Sequence, residues 1–114
     1  MLLFVYGTLK RDQRNHHLLA DQRFVGPAAT VAGYRLCDLG SHPGMVPHPH
    51  GGPVRGEVFD VSESCTDELD EFEEVPTLFD RKQVELTNGT TAWAYLYARP
   101  VPAGTPSGDE WPFG

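Results

Sequence analysis

Apolar positions in the first third of the chain predict two or three short strands. Residues 2–6 form an unbroken apolar and aromatic run, and a continuous run of this length is typical of a strand buried on both faces. Residues 24–36 predict one or two further strands. Gly26, Pro27 and Gly33 interrupt this second segment, which favours bends or bulges in it.

The second half of the chain carries another strand pattern and a hairpin. Residues 54–61 place their side chains alternately on two sides, as the residues of a strand do. Residues 82–86 and 91–98 flank Asn88-Gly89, a pair that tolerates the positive φ values of a tight turn. This arrangement predicts a β-hairpin.

Two segments carry helix signals. Ser62 is predicted to cap a helix that continues to about Glu74 and ends before Pro76, because the residue before a proline disfavours helical geometry. Asn15 is predicted to cap a shorter helix that ends at Leu19.

Proline and glycine are concentrated in the remaining segments. Residues 39–53 contain four prolines and four glycines, which predict a loop without regular structure in which residues 45–46 make a short buried contact. Residues 100–114 form a Pro- and Gly-rich tail. We expect Trp111 and Phe113 to dock this tail onto the domain rather than to extend the sheet.

Together these elements predict an α+β fold. Residues 1–114 are expected to form a single domain, in which five or six strands build a small mixed or antiparallel sheet, curled into a β-barrel and flanked by one or two helices. Strands and helices do not alternate regularly, which excludes a doubly wound parallel sheet. The composition agrees, since 114 residues suffice for one core and 12 glycines with 10 prolines indicate many turns.

Hydropathy indicates where the protein is located, and charge excludes some classes of partner. No apolar run is long enough to span a bilayer, and no basic segment precedes the first strand, so a cytoplasmic location is expected. The formal net charge is −7, from 9 Lys and Arg against 16 Asp and Glu. A field of this sign repels nucleic-acid backbones and anionic membranes, which are therefore not expected as partners.

The predicted acidic helix contains two candidate proton carriers. At about 100° per residue, Cys65, Leu69 and Phe72 share one narrow stripe, which is expected to face the core. Glu68 and Glu73 flank this stripe on opposite sides, and a carboxyl group that leans into the domain becomes a usable acid and base near neutral pH. Helical geometry leaves the choice between them open. The remaining carboxylates of the helix are expected on its solvated face: Asp67, Asp70, Glu71 and Glu74.

The turn after the first strand is a candidate anion site. Gly7 allows a sharp bend directly after a buried strand, and successive backbone N–H groups at such a bend can cradle a carboxylate. The residues concerned are Tyr6, Gly7, Thr8 and Leu9. Taken alone, the same pattern is also that of an ordinary turn.

Other chemistries find little support in the sequence. His42, His48 and His50 lie in one loop, but this loop has no cysteine and no nearby carboxylate and is too rich in proline to favour a tetrahedral metal site. No G-x-S-x-G or P-loop motif is present. We therefore expect no metal site.

A series of short motifs closely resembles the gamma-glutamylcyclotransferase-like family, in particular its gamma-glutamylamine cyclotransferase branch and small bacterial relatives. Each motif is modest alone, but the whole set in this order is specific and covers most of the chain. The motifs are Val5-Tyr6-Gly7-Thr8-Leu9-Lys10, Asn15-His16, Pro43-Gly44-Met45-Val46, Val54-Arg55-Gly56-Glu57-Val58-Phe59, Leu69-Asp70-Glu71-Phe72-Glu73, Leu78-Phe79-Asp80-Arg81, Ala92-Trp93-Ala94-Tyr95 and Ser107-Gly108-Asp109-Glu110-Trp111.

The resemblance implies a small curled β-barrel and an enzyme that acts on a small gamma-glutamyl compound without a cofactor. It implies cyclisation of the gamma-glutamyl group to 5-oxoproline with release of the free amine. The glutamate that ends the family's Leu-Asp-x-Phe-Glu motif is its acid and base, and here this residue is Glu73. The family's Tyr-Gly-Thr-Leu loop binds the substrate α-carboxylate through backbone N–H groups, which implies this role for Gly7, Thr8 and Leu9 beside Tyr6.

The chain departs from the family pattern at three positions. Phe79 stands where the family usually has a tyrosine, so any contact made by that hydroxyl is lost. Asp12 and Arg14 stand where the closest branch has Gly and Pro. These departures concern the identity of the substrate more than the reaction, and the sequence specifies neither the leaving amine nor the oligomeric state.

Two interpretations compete with the cyclotransferase. The first is a non-catalytic small-molecule binding domain on the same fold, which a pocket closed by the Trp111 tail would favour. The second is a histidine-rich metal-binding protein that depends on His48 and His50.

Overall fold

The computed structural model describes residues 1–114 and contains eight strands, one α-helix and one 3₁₀ helix. The elements are β1 (Leu2–Val5), the 3₁₀ helix (His16–Leu19), β2 (Arg23–Ala29), β3 (Tyr34–Asp38), β4 (Pro43–Pro47), β5 (Arg55–Asp60), α1 (Glu63–Phe72), β6 (Phe79–Glu85), β7 (Thr91–Tyr97) and β8 (Ser107–Gly108). Neither helix is both long and apolar enough to cross a membrane.

All eight strands belong to one mixed sheet that curls into a half-barrel. Its order is β2-β5-β1-β7-β4-β3-β8, with β6 paired to β7. Most neighbouring pairs are antiparallel, whereas β1 and β4 both run parallel to β7. The predicted α+β fold with a curled mixed sheet is confirmed, although the sheet has more strands than the five or six expected.

One edge of β7 is shared by two strands, and this arrangement makes room for the site. Leu3 of β1 pairs with Trp93, whereas Met45 of β4 pairs with Leu96 further along the same edge. β4 therefore takes the place beside β7 that β1 would otherwise occupy. The C-terminal end of β1 leaves the edge of β7, stays paired with β5 as far as Val5, and continues into a turn.

The core lies on both faces of β1. Leu3 and Val5 pack into one group of buried side chains, together with Leu69 of α1. Phe4 packs into a second group on the opposite face, together with Met45. A strand covered on both faces needs apolar residues at every position, which explains the unbroken run at residues 2–6.

Two predictions about irregular segments are wrong. Residues 39–53 contain a regular strand, β4, because its pairing with β3 and β7 outweighs the local signal of its prolines, which stand at the first and last positions, Pro43 and Pro47. The tail does extend the sheet, since β8 pairs with β3. Trp111 and Phe113 dock the tail as expected, against the second core group.

The α-helix begins as predicted and ends earlier. Ser62 caps it, because its Oγ accepts a hydrogen bond of 3.1 Å from Cys65 N. The helix ends at Phe72, two residues before the predicted end, and Glu74 adopts a left-handed φ of 54°. Two backbone bonds close the end, from Glu74 N to the Glu71 carbonyl and from Val75 N to the Asp70 carbonyl, which is a Schellman motif.

The remaining local predictions have mixed outcomes. The hairpin is confirmed, with Gly89 at a φ of 85° in its turn, although β6 starts at Phe79 rather than at residue 82. The predicted Asn15 cap is wrong, because its side chain makes no capping bond to the 3₁₀ helix. Phe72 was expected in the core with Cys65 and Leu69, but its side chain is 45% exposed, since the helix ends at this residue.

Candidate active site

A cavity of about 240 Å³ opens where the turn after β1 faces the C-terminal end of α1. Its wall also includes the residues before the 3₁₀ helix, the start of β4, the start of β6 and one residue of β7. The lining residues are Phe4, Val5, Tyr6, Gly7, Thr8, Leu9, Arg14, Asn15, His42, Pro43, Phe72, Glu73, Glu74, Leu78, Phe79 and Tyr95. The cavity thus brings together Glu73 and the turn of residues 6–9, but not the alternative candidate Glu68.

Glu73 is the only carboxylate in this wall that lies mostly out of solvent. It caps the C-terminal end of α1, and its carboxylate makes no hydrogen bond and no ion pair within the protein. Burial raises the pKa of Glu73 from 4.5 to about 7, and the partial negative charge at a helix C-terminus acts in the same direction. Glu68 is exposed and does not line the cavity.

The turn after β1 presents unpaired donors to the cavity. The backbone N–H groups of Gly7, Thr8 and Leu9 donate to no acceptor within the protein, which is unusual for three successive residues of a folded chain. Asn15 fixes this turn through two bonds of 3.0 Å, from its backbone N to the Thr8 carbonyl and from Nδ2 to Thr8 Oγ1. The three N–H groups can therefore accept an anion without rearrangement of the loop.

Glycine is needed at position 7 because of close packing and not because of an unusual φ. A Cβ at this position would lie 2.8 Å from Pro43 Cγ and 3.0 Å from Pro43 Cδ, and carbon atoms do not approach so closely. The missing side chain lets the start of β4 close one wall of the cavity directly against the turn.

The Tyr6 hydroxyl serves the fold and is not free to bind a ligand. It donates a hydrogen bond of 2.5 Å to the Tyr95 carbonyl and accepts one of 3.1 Å from Met45 N. It thereby fills the junction where β1 leaves the edge of β7 and β4 replaces it. Burial raises the pKa of Tyr6, so the hydroxyl stays protonated. Its aromatic ring contributes only an apolar wall to the cavity.

Replacing Tyr6 with Phe is expected to affect stability rather than activity. Loss of a buried hydroxyl that bridges two backbone groups should lower the free energy of unfolding by roughly 1–3 kcal/mol, as measured by urea denaturation. Tyr97→Phe is the matched control, because its hydroxyl makes no hydrogen bond within the protein. A Tyr6→Phe variant as stable as the control would contradict the structural role of this hydroxyl.

A polar cluster one helical turn before Glu73 was not predicted from the sequence. Asp70 was expected on the solvated face, but it accepts two bonds of 3.0 Å from the Arg81 guanidinium and one of 2.7 Å from Tyr95 Oη. Burial alone would raise the pKa of Asp70, but its bonds to Arg81 and Tyr95 outweigh this effect and hold the pKa below its usual range. The cluster ties α1 to β6 and β7 one turn before Glu73.

No local pattern could have revealed this cluster. Asp70 lies well away from the apolar stripe of the helix, and its partners Arg81 and Tyr95 are 11 and 25 positions away, in β6 and β7. The only signal was that all three residues fall within the motifs shared with the family.

The histidines of the loop around β4 do not come together. His42 lines the cavity, whereas His48 and His50 lie outside it with their rings 6.0 Å apart. No group of three or more His, Cys, Asp or Glu side chains is arranged to hold a metal ion. Trp111 is not part of the cavity wall, so the tail does not close the pocket, which is the arrangement that would have favoured the binding-domain interpretation.

Comparisons with known proteins agree with the fold and with the family that the sequence motifs indicate. A family model described as gamma-glutamyl cyclotransferase, AIG2-like, matches residues 3–113. A Vibrio cholerae protein provisionally named a gamma-glutamylcyclotransferase is 41% identical over 96 residues, which are 84% of this chain and 81% of that protein. The rat gamma-glutamylaminecyclotransferase is 37% identical over 92 residues, which are 74% of this chain and 62% of the rat protein.

A solved structure extends the likeness to three dimensions. The crystal structure of an AIG2-like protein from Mus musculus superimposes with a TM-score of 0.87 at 28% identity, covering 96% of this chain and 86% of the mouse chain. The curled mixed sheet with one α-helix is therefore shared with that protein.

Proposed function

The chain belongs to the AIG2-like gamma-glutamyl cyclotransferase family, and on that premise we propose that it is itself an enzyme that cyclises a gamma-glutamyl group to 5-oxoproline and releases the free amine. One observation carries the proposal. A carboxylate without a partner, Glu73, shares a cavity with three backbone N–H groups without partners, those of Gly7, Thr8 and Leu9. The first group can move a proton, and the second can hold a carboxylate.

Substrate binding relies on the turn after β1. The N–H groups of Gly7, Thr8 and Leu9 bind the α-carboxylate of the gamma-glutamyl group, and hydrogen bonds to an ionised acceptor are the stronger kind. The Tyr6 ring forms the apolar wall beside them. This binding fixes one end of the glutamyl chain and bends its α-amine back towards its own gamma-carbonyl.

The reaction needs no nucleophile from the protein, because the substrate supplies it. The α-amine attacks the gamma-carbonyl carbon, a C–N bond of the five-membered lactam forms, and the C–N bond to the leaving amine breaks. Orientation of two groups that already belong to one molecule can be worth roughly 7–11 kcal/mol. This mechanism, an intramolecular aminolysis, agrees with the lack of any serine or cysteine nucleophile motif.

Glu73 carries the protons in both directions. As a carboxylate it takes a proton from the α-ammonium and so generates the attacking amine. As a carboxylic acid it then delivers that proton to the departing nitrogen. The attacking nitrogen must lose a second proton to become the lactam N–H, and this proton goes to the freed amine, which leaves as an ammonium ion. A group with a pKa of about 7 is suited to both steps at neutral pH, whereas a solvated glutamate would be a poor acid.

The proposal is tested by incubating the wild-type protein with a panel of gamma-glutamyl compounds. The panel pairs one gamma-glutamyl end with amino acids, alkylamines and a lysine side chain. We expect 5-oxoproline and the free amine to appear in equal amounts from at least one of them. Binding of panel members by calorimetry without any release of 5-oxoproline would favour the non-catalytic binding domain.

A further inference from the structure

The turn after β1 is held in place through its carbonyl groups. Its three backbone carbonyls all accept hydrogen bonds within the protein, whereas its three N–H groups donate none. The bonds run to the Gly7 carbonyl from Lys10 N (3.1 Å), to the Thr8 carbonyl from Asn15 N (3.0 Å) and to the Leu9 carbonyl from His16 Nδ1 (3.1 Å). Only the last of these donors belongs to a side chain, so it is the one that a substitution can remove.

The bond from His16 reaches further than Leu9. A trans peptide points its N–H opposite to its C=O, so a bond that orients one end orients the other, and the peptides of this turn are trans. The peptide that joins Leu9 to Lys10 accepts the bond from His16. Its N–H donates to the Gly7 carbonyl, and the peptide of that carbonyl ends in the Thr8 N–H. His16 thus begins a chain of two peptides that ends at a donor open to the cavity, and bonds in such chains polarise one another.

His16 itself does not line the cavity. It is the first residue of the 3₁₀ helix, is half-buried, and packs its ring against the ring of Phe59, with 5.6 Å between the ring centroids. A carbonyl oxygen can only accept a hydrogen bond, so the bond to Leu9 requires the hydrogen on Nδ1. His16 therefore acts on the turn from outside the cavity.

We propose that His16 is a positioning residue, which holds the turn after β1 so that its N–H groups face the substrate α-carboxylate before the substrate binds. This inference rests on the proposed function, in which those N–H groups bind that carboxylate. Donors that are oriented in advance bind an anion more tightly, because no loop has to be ordered on binding.

The expected effect is on substrate binding and not on the chemical step. The α-carboxylate takes no part in the bonds that form and break, so its contacts are equally strong in the ground state and in the transition state. Loss of the His16 bond should therefore raise KM and leave kcat unchanged.

The test compares two substitutions that both remove the imidazole ring and differ in where they place an amide N–H. The nitrogen of His16→Asn lies close to the position of Nδ1, whereas that of His16→Gln extends towards the position of Nε2. With the best substrate of the panel, His16→Gln should raise KM about tenfold, the scale of one hydrogen bond to a charged group, and His16→Asn should stay within about threefold of the wild type. His17→Gln is the matched control, since His17 is exposed and lies outside the cavity.

Two results would overturn the inference. Equal KM values in His16→Asn and His16→Gln would show that the position of the donor does not matter. A fall in kcat with unchanged KM would show that His16 affects the chemical step instead. A merely structural role would lower the stability of both variants in urea denaturation and would not separate their KM values.

Failure of the proposed function would be a separate result. If no gamma-glutamyl compound yields 5-oxoproline, the same variants are compared by calorimetric binding of 5-oxoproline, which carries the same α-carboxylate. Binding that is about tenfold weaker in His16→Gln, but not in His16→Asn, would support the positioning role without the reaction. A wild type that does not bind 5-oxoproline, or variants that bind it equally, would overturn that role as well.

Discussion

Glu73→Gln is expected to lower the rate of 5-oxoproline release by a factor of about 10²–10⁴, the usual contribution of a positioned general acid and base. Glutamine keeps the size of the side chain and its capacity for hydrogen bonds, but it cannot carry a proton. Substrate binding should survive, because the N–H groups of Gly7, Thr8 and Leu9 are unaffected. The loss should therefore appear in kcat rather than in KM.

The matched control for this prediction is Glu68→Gln. Both residues flank the same helical stripe in sequence, but only Glu73 lines the cavity, while Glu68 is exposed. The Glu68 variant should retain wild-type kcat. Equal activity of wild type and Glu73→Gln would show that Glu73 is not the proton carrier, and a selective loss in Glu68→Gln would move the role to that residue.

The same Glu73→Gln variant is expected to be more stable than the wild type above pH 7. The pKa of Glu73 is about 7 in the folded protein against an ordinary value of 4.5, so between these values the folded state binds more protons than the unfolded state. The stability contributed by this group is therefore complete below pH 4.5 and declines as the pH rises to 7. A shift of this size corresponds to a free energy on the order of 3 kcal/mol.

Urea denaturation at a series of pH values measures this effect. The free energy of unfolding of Glu73→Gln relative to the wild type should rise by on the order of 3 kcal/mol between pH 4 and pH 8. Glu68→Gln should show no such rise, because its side chain is exposed. A constant difference between Glu73→Gln and the wild type across this range would mean that burial imposes no such cost on Glu73. Glu73→Gln would then gain stability and lose activity, which is the common trade-off between stability and activity at active sites.

The parts of the fold that the sequence predicts well are those decided by local signals. The apolar run at residues 2–6 correctly predicts a strand buried on both faces. Ser62 correctly predicts the start of the helix, and Asn88-Gly89 correctly predicts the hairpin turn. In each case the residue type itself imposes the conformation. The strands β4 and β8 were missed because pairing with distant strands, rather than the Pro- and Gly-rich segments themselves, makes them regular.

The candidate site, like the fold, could be predicted from the sequence only where local signals decide the structure. The helical periodicity places Glu68 and Glu73 on opposite edges of one apolar face. It cannot decide which of them is the proton carrier, because that depends on where the helix ends and on what its end faces. The Schellman closure after Phe72 places Glu73 in the cavity wall. Arg14 and His42 line the same cavity although they lie far apart in the sequence, so no local pattern indicates that they share it.

The most direct test of the role of Glu73 is the dependence of wild-type kcat/KM on pH between 5 and 8. A base with a pKa of about 7 must lose its proton before it can accept another, so kcat/KM should fall roughly tenfold for each pH unit below that value. An acid limb centred near pH 7 is the predicted result. A profile that stays flat down to pH 5 would contradict a buried glutamate as the proton carrier.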